Sequence, residues 1–391
     1  MDPITAATHA DPYPYYEKLR AEGGLTFHPE LKLWVASTAS AVCAVLAHAD
    51  CRVRPAQEPV PKALAEGMAG KVFAQLMRMN DGESQRCPRS AFEPPLLLID
   101  QDEVRARVSA RLLNTDADGL YNAMFRGPVS VVAALLGFSP AQSRAISALT
   151  ADFAACLSPL SNDVQLTAAH AAAEQLRGQF IELLAEPGVS SALLAGIRQR
   201  FEGDQENLIA NLIGLCSQTF EACAGLIGNA LLTLHRQPEL RGESVEALLS
   251  EVQRFDPSIQ NTRRFVAASC EIDGVRVEAG AVILVLLASA NRDPALNDNP
   301  DQFLLERPNR RSFSFGSGRH QCPGQAAAMS IASATVREIL AHGIELERLN
   351  WHYRPSLNGR IPLFSDVVAC RSSYRDLLTL PFAKSTSYWP R

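Results

Sequence analysis

The stretch that most constrains this chain is residues 313–325, Phe-Ser-Phe-Gly-Ser-Gly-Arg-His-Gln-Cys-Pro-Gly-Gln. Glycines at positions 316 and 318 allow a tight backbone path that side chains would obstruct, which suits a loop pressed against a flat ligand. Cys322 follows, and Pro323 with the alanine-rich run after it predicts a helix over 323–341. The cysteine would then lie at or just before a helix N-terminus, where free N–H groups and the helix dipole stabilise a thiolate. The competing interpretation is a buried cysteine that packs as a small apolar side chain.

Composition and charge bound the class of protein. The chain has 391 residues, of which 47% are hydrophobic and 20% charged, so we expect two domains or one large domain with two lobes. The net charge of −5 comes with no basic stripe or tail, which argues against nucleic-acid binding.

Targeting signals and cysteine usage point to the cytoplasm. The N-terminus carries acid and proline instead of a basic stretch leading into an apolar run, so we expect no signal peptide. The longest apolar stretches, 222–234 and 279–290, are too short to cross a bilayer, so we expect no membrane partner. Nine cysteines without a CxxC pair predict free thiols in a reducing compartment.

The pattern of apolar residues predicts a mainly α-helical fold with a smaller β-rich lobe. Apolar residues recur three and four positions apart almost throughout 60–256. The β-rich parts are expected at about 25–55, 264–290 and 345–391. The elements predicted outside the helical body are a first helix at Asp11–Arg20, strands at Leu25–Phe27 and Leu33–Ala36, a hairpin that joins Glu271–Val277 to Ala281–Leu287 across residues 278–280, and the helix at 323–341.

The cysteine segment resembles the cysteine-ligand loop of the cytochrome P450 family. The matching positions are Phe315, Gly316, Gly318, His320, Cys322 and Gly324. The resemblance implies a single cytochrome P450 domain over residues 1–391 with heme b (iron protoporphyrin IX) as cofactor. It also implies that Cys322 ligates the iron, while Phe315, Gly316 and Gly324 contact the haem. A thiolate ligand pushes electron density toward the iron and favours O–O cleavage.

A second motif lies upstream of this loop. Glu251 and Arg254 are spaced i, i+3 on a helix predicted over Val245–Phe255, so they share a face and can form a salt bridge. An exposed surface pair is the alternative. The resemblance implies instead that Arg307 completes a buried network with them, which supports the proximal side of the haem.

The resemblance also implies donors for the haem propionates. His320 comes from the cysteine loop, and Arg264 opens the strand that follows the Glu251 helix. In the family's helix that crosses the haem edge, Gln85 stands where histidine is usual and Arg89 is retained. Glu103 with Arg107 is a second candidate for that helix. A solvated helix face is the alternative for both pairs.

The long helix predicted over 205–234 departs from the family pattern. Alignment places Glu221 on the usual acid and Ala222 on the usual threonine, whereas a shift by one residue would place Cys223 there. That threonine normally holds a water that delivers protons. A polar group of the substrate could replace it, or Thr219, Gln218 or Ser217 one turn earlier could order the water. An enzyme that uses peroxide, or that does not insert oxygen, is the third possibility.

The function implied is a monooxygenase that inserts one oxygen atom from O2 into a small apolar or amphipathic molecule. The peroxide-using enzyme is the alternative, and a non-catalytic haem sensor or carrier is the remote one. Pocket residues are expected in 60–78, 215–222, 258–262 and 372–374. Because Gln260 and Asn261 accompany Phe73 and Tyr374 there, we expect a substrate with at least one polar group.

The expected protein partners are a ferredoxin and a ferredoxin reductase, with the chain itself a monomer. A chain of 391 residues leaves no room for an attached reductase domain beside the monooxygenase. An acidic ferredoxin would be attracted to arginines on the proximal face. The predicted residues are Arg310, Arg311 and Arg319, with Arg86 or Arg89 adjoining.

Overall fold

A computed structural model describes residues 1–109, 117–188 and 191–366 of the chain. The fold is mainly α-helical with a smaller β-rich region, as the sequence predicts. The helices are α1 (Tyr13–Glu22), α2 (Ala39–Ala47), α3 (Met68–Gln75), α4 (Glu83–Leu97), α5 (Gln101–Ser109), α6 (Ala117–Tyr121), α7 (Gly127–Leu135), α8 (Pro140–Ala154), α9 (Asp163–Ala185), α10 (Ala192–Arg200), α11 (Gln205–Arg236), α12 (Val245–Phe255), α13 (Leu287–Asn291) and α14 (Gln325–Ala341). In these ranges no helix is long and apolar enough to cross a membrane.

The strands form one five-stranded sheet and two short hairpins. Their bounds are β1 (Leu25–His28), β2 (Leu33–Ala36), β3 (Cys51–Arg52), β4 (Thr262–Val266), β5 (Cys270–Ile272), β6 (Val275–Val277), β7 (Val282–Val285), β8 (Leu349–Tyr353) and β9 (Pro362–Asp366). The large sheet has the order β1-β2-β7-β4-β3, while β5 pairs with β6 and β8 with β9. In the large sheet β7 runs parallel to β2 and antiparallel to β4.

The predicted hairpin between Glu271–Val277 and Ala281–Leu287 is wrong. The first segment folds back on itself, because Asp273 and Gly274 both adopt positive φ and form the tight turn between β5 and β6. The second segment supplies β7, whose residues Ile283, Leu284 and Val285 are fully buried. An uninterrupted apolar run of this kind is typical of a central strand covered on both faces.

Other boundaries differ by a few residues. The first helix begins at Tyr13, two residues after the predicted start, and the helix after the cysteine begins at Gln325 instead of Pro323. The first β-rich part also contains α2. The strands at Leu25 and Leu33 and the helix at Val245–Phe255 are confirmed. Residues 372–374, predicted for the pocket, lie outside the described residues.

Helix α11 runs through the centre of the helical body. Asp204 caps its first turn by accepting a hydrogen bond from the Asn207 N–H at 2.7 Å. Its 32 residues pack against α7, α8, α9, α12 and α14. Gly225 allows α11 to lie close to the segments that contain Ser258 and Ile361. A Cβ at Gly225 would overlap the Cβ of Ser258 and come within 3.2 Å of Ile361.

This packing predicts a position-specific cost of adding one methyl group. Gly225→Ala should lower the free energy of unfolding by about 1–3 kcal/mol, since the surrounding backbone has to move. Gly178→Ala is the matched control on α9, where a Cβ meets nothing within 4 Å. The control should gain about 0.5–1 kcal/mol from the higher helix propensity of alanine. Chemical denaturation of both variants measures this, and equal stabilities would contradict the close approach.

Candidate active site

The cysteine loop is bent by its glycines and closed by backbone hydrogen bonds. Gly316 and Gly318 have φ of 73° and 67°, in the left-handed region that favours glycine. The N–H of Cys322 donates to the carbonyl of Phe315 at 2.7 Å, and the N–H of Gly316 donates to that of Phe313 at 2.7 Å. The loop therefore holds Cys322 by its own backbone, three residues before α14 begins.

Opposing effects act on the pKa of the Cys322 thiol. Burial raises its pKa, while a hydrogen bond from the N–H of Gly324 and the charges of Arg78 and Arg89 act to lower it. Gly324 is the N-cap residue of α14. A donor from the helix start thus reaches the sulfur, although the helix starts later than the sequence predicts. A metal ion at this sulfur would deprotonate it outright.

Helix α4 lies against this loop. The side-chain amide of Gln85 donates to the Arg319 carbonyl at 2.7 Å, and the Arg89 guanidinium donates to the Gln321 carbonyl at 2.5 Å. Arg89 is also paired with Glu93 at 2.7 Å. The predicted pair is therefore brought to the cysteine loop, even though Pro88 lies inside the helix.

The alternative pair on α5 is not brought there. Arg107 and Glu103 form an exposed salt bridge of 2.9 Å, with side chains 40% and 44% accessible. Glu103 and Arg107 therefore form a solvated helix face, which is the alternative that the sequence allowed for this pair.

Arg264 is a buried cation on β4. Its side chain donates to the backbone carbonyl of Arg263 at 2.8 Å, while its Nε is buried and has no hydrogen-bond partner. Burial lowers its pKa to about 10. In the described part of the chain no carboxylate lies within salt-bridge distance of it. A buried donor of this kind calls for an anionic acceptor.

Asp81 joins the loop to the strand region, and sequence reasoning missed it. Its carboxylate contacts His320 Nε2 at 2.9 Å and accepts a hydrogen bond from the Val53 N–H at 3.0 Å. Burial acts to raise the pKa of Asp81, but these bonds outweigh it and the pKa is lowered. Burial also lowers the pKa of His320. The signal available in the sequence was only the position of Asp81 shortly before α4.

Helix α11 presents one accessible stripe in an otherwise buried central stretch. Its partly accessible residues are Leu215, Gln218, Thr219, Glu221 and Ala222. The spacing of three and four places them on one side of the helix. Thr219 and Glu221, predicted for proton delivery, and Ala222, which stands at the usual threonine position, all belong to this stripe.

The polar groups of this stripe have definite partners. Glu221 pairs with Arg354 at 2.8 Å, a partner that lies on the segment after β8 and that the sequence did not reveal. The Thr219 hydroxyl donates to the Leu215 carbonyl at 2.8 Å, so its oxygen can still accept a hydrogen bond. Cys223 is buried, and burial raises the pKa of its thiol to about 12, with a smaller contribution from the charge of Cys322.

Gln260 does not line a pocket as predicted. It is fully buried, accepts a hydrogen bond from the Tyr16 hydroxyl at 3.2 Å and donates to the Pro257 carbonyl at 2.8 Å. Asn261 is fully buried as well and donates to the Leu357 carbonyl at 3.0 Å. These amides connect chain segments, which is why their polarity says nothing about a substrate.

Glu251 is the centre of a buried ion cluster. Its Oε1 is 2.6 Å from Arg254 Nη2 and 3.0 Å from Arg307 Nε, and it accepts the N–H of Leu304 at 3.1 Å. Its Oε2 is 2.9 Å from Arg310 Nε. Glu251 and Arg254 are fully buried, so the predicted network exists and has Arg310 as a fourth member.

Two arginines predicted for the proximal surface are engaged inside the protein. Arg310 belongs to the Glu251 cluster, and its side chain is only 18% accessible. Arg319 donates to the carbonyls of His48 and Cys51 and is 29% accessible. Arg86 and Arg311 are exposed, so only these two are available there.

The part of the chain that matches a known protein family contains the residues of this site. The sequence model of the cytochrome P450 family matches residues 243–342, which hold the Glu251 cluster and the cysteine loop. The chain is 35% identical over 232 residues to cytochrome P450 133B1 of Xylella fastidiosa. In sequence the chain is similar to members of the cytochrome P450 family.

The extent of these matches varies. The match to the Xylella P450 spans 54% of this chain and 57% of the relative, so the chain spans little more than half of that protein. The beta-dihydromenaquinone-9 omega-hydroxylase of Mycobacterium tuberculosis is 26% identical, with 92% of this chain and 76% of the relative covered. The crystal structure of CalO2 superposes with a TM-score of 0.79 over 93% of this chain and 96% of that one, at 22% identity, which shows the shared fold.

Similarity to the P450 family implies a haem, and the residues present fit one. Cys322 offers a sulfur next to a backbone donor, and the orphaned Nε of Arg264 offers a buried cation to a carboxylate such as a propionate. The side-chain chemistry and the burial of Cys322 and Arg264 are both compatible with a bound haem.

The Glu251 cluster predicts a loss of folding together with a loss of haem. Glu251→Ala or Arg254→Ala should lower the free energy of unfolding by about 3–5 kcal/mol, because either change leaves buried charge unpaired. Haem content per chain, from absorbance, should fall with it.

Arg105→Ala is the matched control for this prediction. Arg105 pairs with Asp102 at the same i, i+3 spacing, but both side chains are exposed, so the change should cost about 0–1 kcal/mol. If Arg254→Ala retained haem and melted at the same temperature as the control, the Glu251 cluster would not be needed for folding or haem binding.

Proposed function

We propose that this chain is a haem-thiolate monooxygenase that inserts one oxygen atom from O2 into a small apolar or amphipathic molecule. In this proposal heme b is bound within a single domain over residues 1–391, with Cys322 as the iron ligand. One observation carries the proposal: Arg78 lies within electrostatic range of Cys322 and hydrogen-bonds to Gln218 on the accessible stripe of α11. The cysteine loop and that stripe therefore border the same space.

Haem with a thiolate ligand supplies the oxygen-activating chemistry, because sulfur donation favours O–O cleavage. The chain's own residues hold and orient it. Phe315, Gly316 and Gly324 form the backbone surface around Cys322, and Gly324 donates to its sulfur. Such a donor tunes how much charge the sulfur gives.

The propionates are assigned to cationic or neutral hydrogen-bond donors around the loop. Arg264 offers its unpartnered Nε, and His320 is oriented by Asp81. Gln85 and Arg89 complete the set in this proposal. Both are held beside the cysteine loop by bonds to its backbone carbonyls.

On the distal side, proton delivery is assigned to the stripe of α11. Glu221 holds a proton-accepting carboxylate near Ala222, and its pairing with Arg354 orients it. Thr219 can accept a hydrogen bond from a water one turn before Ala222. A polar group of the substrate supplies the contact that the methyl group of Ala222 cannot make.

Electrons are assigned to a ferredoxin and its reductase, and the enzyme to the cytoplasm as a monomer. Arg311 comes two residues before the cysteine loop, and Arg86 follows Gln85 on α4, whose side chain binds that loop. Both arginines are exposed and suit an acidic partner. Eight cysteines of the described part are free thiols, which agrees with a reducing compartment.

A second candidate function is oxidation driven by hydrogen peroxide. It is favoured by one observation, the methyl group of Ala222 on the accessible stripe where the family usually has a hydroxyl. Peroxide already carries both oxygen atoms in reduced form, so it needs fewer proton deliveries from the protein.

The ligand assignment predicts a spectroscopic loss. Cys322→Ser should abolish the long-wavelength Soret band of the reduced carbon monoxide complex, since its red shift depends on sulfur donation. Cys43→Ser, an exposed cysteine on α2, is the control and should keep the band. Persistence of the band in the Cys322 variant would contradict the assignment of Cys322 as the iron ligand.

The distal assignment predicts how coupling responds to Ala222→Thr. With an analogue that lacks the substrate's polar group, the wild type should waste NAD(P)H as hydrogen peroxide, because proton delivery needs a donor in place. The added hydroxyl should partly restore product per NAD(P)H with that analogue. With the true substrate it should bring no gain, because the larger side chain crowds the site.

Thr219→Val separates substrate assistance from a protein-borne water. Strong uncoupling with the true substrate would assign the water to Thr219 instead of the substrate. Turnover with hydrogen peroxide as fast as with redox partners, and indifferent to both substitutions, would establish the second candidate function.

A further inference from the structure

Arg78 is a cation inside the space between the cysteine loop and α11. It lies in the short 3-10 turn Met77–Met79 between α3 and α4. Its side chain is accessible to water, yet burial is the largest cause that lowers its pKa, and the charges of Cys322 and Glu221 act in the opposite direction. Arg78 is thus accessible to water and at the same time closely surrounded by protein atoms.

The contacts of Arg78 leave it with donors to spare. Its Nη1 donates to the Oε1 of Gln218 at 2.5 Å. A guanidinium can only donate, so this contact fixes the amide oxygen toward Arg78 and the amide nitrogen away from it. That nitrogen is buried and has no hydrogen-bond partner. The site thus has an excess of N–H groups over acceptors.

The nearby negative charges are already engaged. Glu221 is paired with Arg354 at 2.8 Å. The charge of Cys322 is directed to the iron in the proposed function. Arg78 has no carboxylate of its own within salt-bridge distance in the described ranges. A cation that the surrounding protein partly desolvates is stabilised by an anion that enters with a ligand.

We propose that the substrate carries a carboxylate and that Arg78 binds it beside Gln218. This inference rests on the proposed function and names its substrate class. Gln218 and Ala222 are four residues apart and share a face of α11. A carboxylate held at Arg78 therefore lies about one helical turn from the methyl group of Ala222. It can accept a hydrogen bond from the water that a threonine at that position would have held.

The assignment to substrate, and not to a haem propionate, follows from the partner of Arg78. Gln218 belongs to the stripe of α11, on the distal side of the site. The donors assigned to propionates, Arg264 and His320, contact instead β4 backbone and Asp81. Arg78 is thus fixed to the wall that a substrate touches.

The test measures binding to the haem-loaded protein by calorimetry and by the Soret shift. The probes are matched pairs of a carboxylate and its primary amide, one alkyl pair (decanoate and decanamide) and one aryl pair (4-ethylbenzoate and 4-ethylbenzamide). The wild type should bind the carboxylate of at least one pair about tenfold or more tightly than its amide, as expected for a charge-assisted bond. Arg78→Gln should remove that preference and leave amide binding within about twofold.

Two further variants sharpen the result. Arg78→Lys keeps the charge but loses the fork of donors, so it should retain part of the preference. Arg144→Gln removes an exposed arginine of α8 and should bind both members of each pair like the wild type. Equal binding within both pairs by the wild type, or no binding of any probe, overturns the proposal.

Haem content separates the remaining outcomes. Arg78→Gln should load haem like the wild type. If it instead lost haem while the carboxylate preference persisted, Arg78 would be a propionate ligand and the proposal would be overturned. Failure of the proposed function shows differently, as an absent thiolate signature in the wild type, whereas calorimetric preference for carboxylates does not depend on that signature.

Discussion

The buried carboxylate of Glu251 is the contact on which the rest of the site depends. It is fully buried and faces three guanidinium groups, those of Arg254, Arg307 and Arg310. A lone charge in that position would cost several kcal/mol, so the carboxylate is stable there only with its partners in place. The two later arginines lie on the irregular segment that leads into the cysteine loop. Their pairing ties this segment, which has no regular structure of its own, to helix α12.

The Glu251 cluster fixes the start of the cysteine loop, and further contacts fix the rest. Asn291 accepts the N–H of Phe313 at 2.6 Å and so fixes the entry to the loop, while Gln85 and Arg89 bind its carbonyls from the side of α4. The backbone bond between Cys322 and Phe315 then closes it. The position of the sulfur is thus set by the loop's own backbone bond and by side chains of α4 and α13 that bind the loop backbone. A metal ligand held in this way keeps its geometry through binding and release of other groups.

The two sides of the site differ in how their charges are balanced. On the side of the cysteine loop, His320 is matched by Asp81, and Arg264 awaits an anion. On the side of α11, Glu221 is matched by Arg354, while Arg78 is bound only to a neutral amide. Each side thus has one carboxylate that already has a partner and one cation with unused donors. This arrangement suits a bound group with carboxylates at one edge and a separate anionic ligand opposite.

The sequence by itself determined the parts that depend on near neighbours. The glycines before Cys322 permit a left-handed backbone, and the i, i+3 spacing of Glu251 and Arg254 predicts their pairing, because both are properties of a short stretch. The family resemblance added Arg307 to this pair. Apolar periodicity located the helices, but it could not tell a central strand from one arm of a hairpin.

Only the tertiary structure decided which distant charges meet: Arg310 pairs with Glu251 from 59 residues away, and Asp81 meets His320 across 239. Pairing over such separations follows from topology, and no local pattern records it.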